Sequence, residues 1–256
     1  MSDTTSSSDP AGTHAGPTLT ARSFTAGPAG ADVDLGTIHY GPDIPTEAEL
    51  RLLGHQHTGK RIVVLGSGSG AAAVTLARAG AKVIAVDGSD AELTHTRRLA
   101  EREEVKIELH HGDVADLAFL RADTVDLVLS IYVLGAVADI DRVYRQVHRI
   151  LRSEGPFVFS VPHPVYRALD PTADPPTLAR RYLDRTPIAW QVGGESGADV
   201  PRPIGELVTG LVRSNFRLDA LLEPAPTGRM PRSRHWEPAM DWIPSTLIVR
   251  ARKQGT

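Results

Sequence analysis

Between residues 61 and 161, short apolar runs alternate with amphipathic stretches. Residues 61–65 (RIVVL) are rich in β-branched side chains and run straight into glycine, which predicts a short strand buried on both faces. Residues 71–79 place Ala, Val and Leu at helical spacing and stop before Gly80, a helix closed by glycine. The same reading predicts a strand over 82–86, a helix over 90–103 and strands over 105–110 and 125–130. A helix over 139–151, ending at Ser153-Glu154-Gly155, and a fifth strand over 157–161 follow. Strands of near-continuous hydrophobes separated by helices predict an α/β fold, a doubly wound and mostly parallel sheet covered on both faces.

After residue 161 the alternation stops. Residues 162–203 are dense in Pro, Gly, Asp and Arg, with short apolar pieces at 177–183 and 188–192. An insertion this long inside a compact domain is usually functional or disordered. Its place after the fifth strand, at the carboxyl edge where open α/β sheets bind ligands, predicts a substrate lid. The pattern resumes with a helix over 204–214 and strands over 217–223 and 245–251. With no helix between them, the last two predict an antiparallel pair at the sheet edge, bringing the sheet to seven strands. Upstream, residues 45–53 (PTEAELRLL) predict a helix capped by Thr46. Residues 1–30, rich in Ser, Thr, Gly, Ala and Pro, predict a disordered tail, which leaves 31–256 as a single domain.

Composition narrows the possible partners. The 256 residues are 41% hydrophobic but only 5% aromatic, so Ala, Val and Leu must fill the core. With 28 Lys and Arg against 31 Asp and Glu, the net charge of -3 lacks the basic surplus expected of a nucleic-acid binder. The absence of cysteine excludes disulfides, thiolate zinc sites and cysteine nucleophiles. The first residues lack the basic start and apolar run of a signal peptide, and no stretch approaches the roughly 20 apolar residues of a membrane span. The expectation is a cytoplasmic protein that contacts no membrane. Lysine occurs only at Lys60, Lys82, Lys106 and Lys253, which with abundant Arg, Ala, Gly and Pro points to a GC-rich coding genome.

The chemistry gathers at the strand ends. Gly66-Ser67-Gly68-Ser69-Gly70 follows the first strand and opens a helix, where glycines allow a sharp turn and close approach of a nucleotide-like cofactor. They would equally serve helix–strand packing alone. Asp87, followed by Gly88, ends the second strand, the place of a carboxylate that accepts ribose hydroxyls or of a plain helix-start residue. Asp113, in His111-Gly112-Asp113-Val114, follows the third strand, beside an adenine or in an ordinary turn.

In this order and placement, residues 45–253 resemble the class I S-adenosylmethionine-dependent methyltransferases. The resemblance implies a Rossmann-like sheet with a closing strand pair, and S-adenosylmethionine as cofactor. It also implies that Gly66, Ser67, Gly68 and Gly70 hold the methionine end, and Asp87 and Gly88 the ribose. Asp113 then meets the adenine amine, with Val114 against the base. Ser160-Val161-Pro162-His163-Pro164 resembles the end of strand five in the small-molecule branch, which implies a small-molecule acceptor; composition adds bacterial secondary metabolism. One departure stands out: many members carry an acid two residues before the first glycine, where this chain has Val64. The ammonium must then rely on backbone carbonyls, with Gly66 and Ser130 as candidates. Tyr40, in Tyr40-Gly41-Pro42, is a candidate to close over the cofactor or to form a packing turn.

The main rival is an NAD(P)-dependent oxidoreductase, since Gly66-x-Gly68-x-x-Ala71 satisfies a relaxed dinucleotide fingerprint. A short-chain dehydrogenase needs a Tyr with Lys four residues on. Tyr40, Tyr132, Tyr144, Tyr166 and Tyr182 are followed at that spacing by Ile44, Ala136, His148, Asp170 and Thr186. Methyltransferases of nucleic-acid adenine carry an acid or amide, two prolines and an aromatic after strand four; here Ser130-Ile131-Tyr132-Val133 stands instead. A protein that keeps the cofactor site but does not methylate remains an alternative.

Methyl transfer from a sulfonium is an in-line displacement, served by alignment and exclusion of water, with or without a general base. His163 is the candidate base, or else a ring bound to backbone. Tyr132 is a candidate to line the methyl pocket, or else a core residue. His235, Trp236, Arg180, Arg181, Arg229, Arg232 and Arg234 are acceptor contacts or solvated surface. No His, Asp and Glu cluster has metal-ligand spacing, so no metal is expected.

Overall fold

The computed structural model of the chain describes residues 33–192 and 195–255. The tail foreseen over 1–30 lies outside them.

In β1 (Arg61–Leu65), the four apolar side chains are 0–1% exposed on both faces. Burying one Val, Leu or Ile is worth roughly 1.5–3 kcal/mol, so such a strand belongs in mid-sheet. It lies between β2 (Lys82–Asp87) and β4 (Leu127–Ile131), parallel to both. β3 (Ile107–His111) pairs outside β2, and β5 (Pro156–Pro162) outside β4, again in parallel. β10 (Phe216–Leu222) and β11 (Thr246–Lys253) complete seven strands in the order β10-β11-β5-β4-β1-β2-β3. β11 runs antiparallel to both its neighbours, so the reversed strand lies one place in from the edge.

Helices cover both faces. α2 (Ala71–Arg78) sets Ala73 and Leu76 against Ile62, Val64 and Ala85, with α3 (Asp90–Arg102) beside it. On the other face, α4 (Ile140–Ile150) and α5 (Ile204–Arg213) bring Val143, Val147 and Leu207 against Val63, Leu65 and Val86. Asp139 starts α4 by accepting from the Arg142 N–H at 2.9 Å, satisfying a donor the helix itself cannot.

Three expectations need adjustment. The strands foreseen from Val105 and Val125 begin two residues later: the Val105 N–H closes α3 on the Ala100 carbonyl, and Val125 forms a lone bridge with Leu151. The helix over 45–53 shrinks to α1 (Glu47–Leu50), because Arg51 turns left-handed at φ 54°. The Glu47 carboxylate then captures the Leu52 and Leu53 N–H groups at 2.9 and 2.8 Å.

The insertion at 162–203 folds into a 3-10 turn (Tyr166–Ala168) and two hairpins, β6 (Leu169–Asp170) with β7 (Thr177–Leu178) and β8 (Ile188–Val192) with β9 (Glu195–Asp199). Its base is fastened to the loop after β4. The Val200 N–H donates to the Gly135 carbonyl at 2.7 Å. The Arg202 guanidinium donates to the carbonyls of Val137, Ala138 and Leu134. Burial pulls the Arg202 pKa down, and those carbonyls are what make an interior guanidinium tolerable. Arg167 and Asp199 form a second, largely buried ion pair at 3.1 Å.

Candidate active site

All the parallel strands end at one edge, and the chain reverses its winding direction between β1 and β4, which opens a ligand crevice there. The glycine turn sits in that crevice. Gly66, Gly68 and Gly70 have φ of 81°, 47° and 76°. At Gly66 a Cβ would lie 1.8 Å from Val133 Cγ2, so the turn also needs glycine for packing. Packing alone thus already demands glycine at this position.

Asp87 is fastened to this turn. Its Oδ2 accepts from the Ser67 N–H at 2.7 Å and from the Ser67 hydroxyl at 3.0 Å, while Oδ1 accepts from the Ser89 N–H at 2.9 Å. Each carboxylate oxygen has two lone pairs, so Oδ1 keeps acceptor capacity, and rotation of the Ser67 hydroxyl releases more on Oδ2. The carboxylate therefore fits a ribose diol and is already oriented for it. The Gly88 carbonyl lies 3.1 Å from His111 Nε2. Asp113 is exposed and caps its own turn, Oδ1 accepting from the Ala115 N–H at 2.8 Å, while Val114 is buried beside it. His110 stacks on Phe119 with ring centroids 3.5 Å apart. Val64 faces the core, so the departure at that position places no polar group near the turn.

Other candidates are tied into the frame. Tyr40 is completely buried and its hydroxyl donates to Glu47 Oε2 at 2.6 Å, an arrangement that fits the packing turn. Burial first, and the Glu47 charge second, raise its pKa far above the usual phenol range. The Ser130 hydroxyl donates to the Leu65 carbonyl at 3.1 Å and ties β4 to β1, leaving any ligand contact to its backbone.

The other half of the edge is built from the ends of β4, β5 and β10 and the start of β11. Tyr132 is buried, with its hydroxyl 2.5 Å from Thr246 Oγ1. Its backbone is left-handed at φ 63°, a costly conformation for an aromatic residue. The Tyr132 N–H donates to the Ser160 carbonyl at 2.9 Å, which helps hold it there. His163 is likewise buried, with Nδ1 accepting from the Val165 N–H at 3.2 Å and Nε2 lying 2.7 Å from Glu223 Oε1. An Nδ1 that accepts must be unprotonated, so Nε2 carries the hydrogen and donates it to Glu223. Both nitrogens of the candidate base are therefore engaged: the ring has the backbone-bound arrangement, and the exposed end of the pair is a carboxylate.

The loop over 223–245 is tied to the 3-10 turn after β5 and to the segment before α1. Ser233 donates to Asp43 through its N–H at 2.9 Å and its hydroxyl at 2.5 Å, and the Tyr166 hydroxyl donates to Glu237. His235 is buried, and Arg232 lies 3.8 Å from the Trp236 ring centre, so these side chains act as cross-ties of the loop. Arg229 pairs with Glu49 and Arg180 with Asp184. Sequence reasoning missed Glu223, Thr246 and Arg202, whose roles arise from partners 60 to 114 residues away along the chain. Only the register of the closing strands, with Thr246 opposite Pro162 and Leu222 opposite Ile248, brings the first two to the site.

The model of a methyltransferase domain family matches residues 63–159, the span from β1 to β5. A solved S-adenosylmethionine-dependent methyltransferase from Mesorhizobium loti shares 28% identity at a TM-score of 0.64, covering 80% of this chain and 96% of its own. Over residues 63–159 the chain carries a methyltransferase domain, and as a whole it is similar to S-adenosylmethionine-dependent methyltransferases. A second solved structure, of a putative S-adenosylmethionine-dependent methyltransferase from Listeria monocytogenes, gives 25% identity and a TM-score of 0.66 over 81% of this chain and 96% of its own. An uncharacterized methyltransferase of Bacillus subtilis is 28% identical over 112 residues, 44% of each protein. The chain spans less than half the length of the curated relatives it matches. Among the described residues no helix is long and apolar enough to cross a membrane, and no group of three His, Asp or Glu could hold a metal ion.

Proposed function

We propose that this protein transfers the methyl group of S-adenosylmethionine to a small molecule, a reaction suited to bacterial secondary metabolism. The observation that carries the reading is Asp87, held by Ser67 at the mouth of the glycine turn with acceptor capacity left for a ribose. Gly66, Ser67, Gly68 and Gly70 would hold the methionine end, Asp87 and Gly88 the ribose, and Asp113 and Val114 the adenine. The cofactor supplies an activated methyl on a sulfonium; the protein supplies alignment and a dry crevice beneath the lid. Acidic net charge and an insertion whose base is fastened to the loop after β4 favour a small acceptor over a nucleic acid.

Isothermal titration with S-adenosylhomocysteine tests this directly. Binding is expected, and Asp87→Asn should weaken it by at least about tenfold, or roughly 1.4 kcal/mol. NADH should give no heat. Binding of NADH without S-adenosylhomocysteine would overturn the reading in favour of an oxidoreductase. Cofactor binding with no methylated product from any acceptor would favour a non-methylating reaction in the same site.

A further inference from the structure

We propose that Glu223 is the charge partner of the methyl acceptor, that His163 is its positioning residue, and that the acceptor is therefore an amine. The inference rests on the methyl-transfer reading above and adds the class of nucleophile to it.

Glu223 follows β10, at the same carboxyl edge as Tyr132 and His163. Its side chain is half exposed, whereas that of the histidine holding it is 3% exposed. Exposed glutamates ordinarily sample many rotamers. This one accepts at 2.7 Å from a ring that is itself fixed from behind by the Val165 N–H on Nδ1. The backbone bond selects the tautomer, and the tautomer points an N–H at Oε1 of a carboxylate that is half exposed. The result is an oriented carboxylate at the carboxyl edge of the sheet, beside the ends of β5 and β10.

Such a charge discriminates among nucleophiles. When a neutral amine attacks, its lone pair forms the new bond to the methyl carbon and the bond from that carbon to sulfur breaks, sulfur keeping the pair. Positive charge passes from sulfur to nitrogen, and the nitrogen then sheds a proton to water. A fixed carboxylate stabilises the cation as it develops. Carboxylates are weak bases toward alcohols and repel carboxylate nucleophiles, so a hydroxyl gains less and an acid is disfavoured.

The test uses the full chain loaded with S-adenosylhomocysteine and three matched probes: benzylamine, benzyl alcohol and benzoate. In titration calorimetry, benzylamine should bind about tenfold tighter than either other probe. Glu223→Gln should abolish that preference, and Glu223→Asp should restore part of it. His163→Gln, which keeps an N–H donor, should retain most of the preference; His163→Phe should lose it. Nitrogen-15 spectra should show His163 protonated at Nε2 in the parent protein. The proposal is overturned if the parent shows no preference for the amine, or if the preference survives Glu223→Gln. S-adenosylhomocysteine affinity, read in the same samples, separates the two readings: its absence removes methyl transfer, whereas its presence without amine preference removes only the role of Glu223.

Discussion

An alanine at position 66 would put its methyl carbon 1.8 Å from Val133 Cγ2 while holding φ at 81°, a conformation that L side chains rarely adopt. The left-handed backbone and the overpacking each cost about 1–3 kcal/mol, so Gly66→Ala should lower stability by about 3 kcal/mol. Urea unfolding measures this, and a change below about 0.5 kcal/mol would mean the turn relaxes freely. Gly66 was legible as special because its neighbours spell a turn, yet Val133, the residue that makes it indispensable, lies 67 positions on in the chain. His163 shows the opposite case. Its residue type marks it as a base, and only its partners reveal that Nδ1 is occupied and that Nε2 serves a carboxylate.

Elements were read well where hydrophobic period and glycine punctuation agree, as in β1 and α2. They were misread where side chains capture backbone donors. Glu47 ends α1 after one turn by taking the Leu52 and Leu53 N–H groups, a competition that helical spacing does not encode. The docking of the 162–203 insertion is another element-scale result, because a Pro-rich stretch says nothing about docking. Arg202 fastens it to the loop between β4 and α4 through three carbonyls. Arg202→Ala should therefore cost about 2–3 kcal/mol and make residues 162–203 the first site of limited proteolysis. Arg202→Lys should not rescue, since a single ammonium cannot match the planar fork that spans those acceptors. Proteolysis beginning elsewhere would show that the lid is held by other contacts, such as Arg167 with Asp199.

At the scale of the whole molecule, a ligand that binds only the folded state raises its stability by mass action. S-adenosylhomocysteine at 100 times its dissociation constant should add about 2.7 kcal/mol, raising the unfolding midpoint by about 5–10 °C for a domain of this size. NADH at the same concentration should leave the midpoint unmoved, and differential scanning calorimetry with each ligand decides between them. The sequence by itself determined the alternation of strands and helices, the glycine turn, the acid at the end of β2 and the closing strand pair. Those are local matters: side-chain period, backbone permissiveness and adjacency along the chain. Tertiary structure alone decided which candidate residues face the crevice, because that depends on strand order and register. Tyr40 goes to the core, the base of the 162–203 insertion to the loop after β4, and His163 to Glu223. A hydrogen bond is a contact between two atoms a few ångströms apart, and nothing in the order of residues says which distant donor the fold will bring to that place.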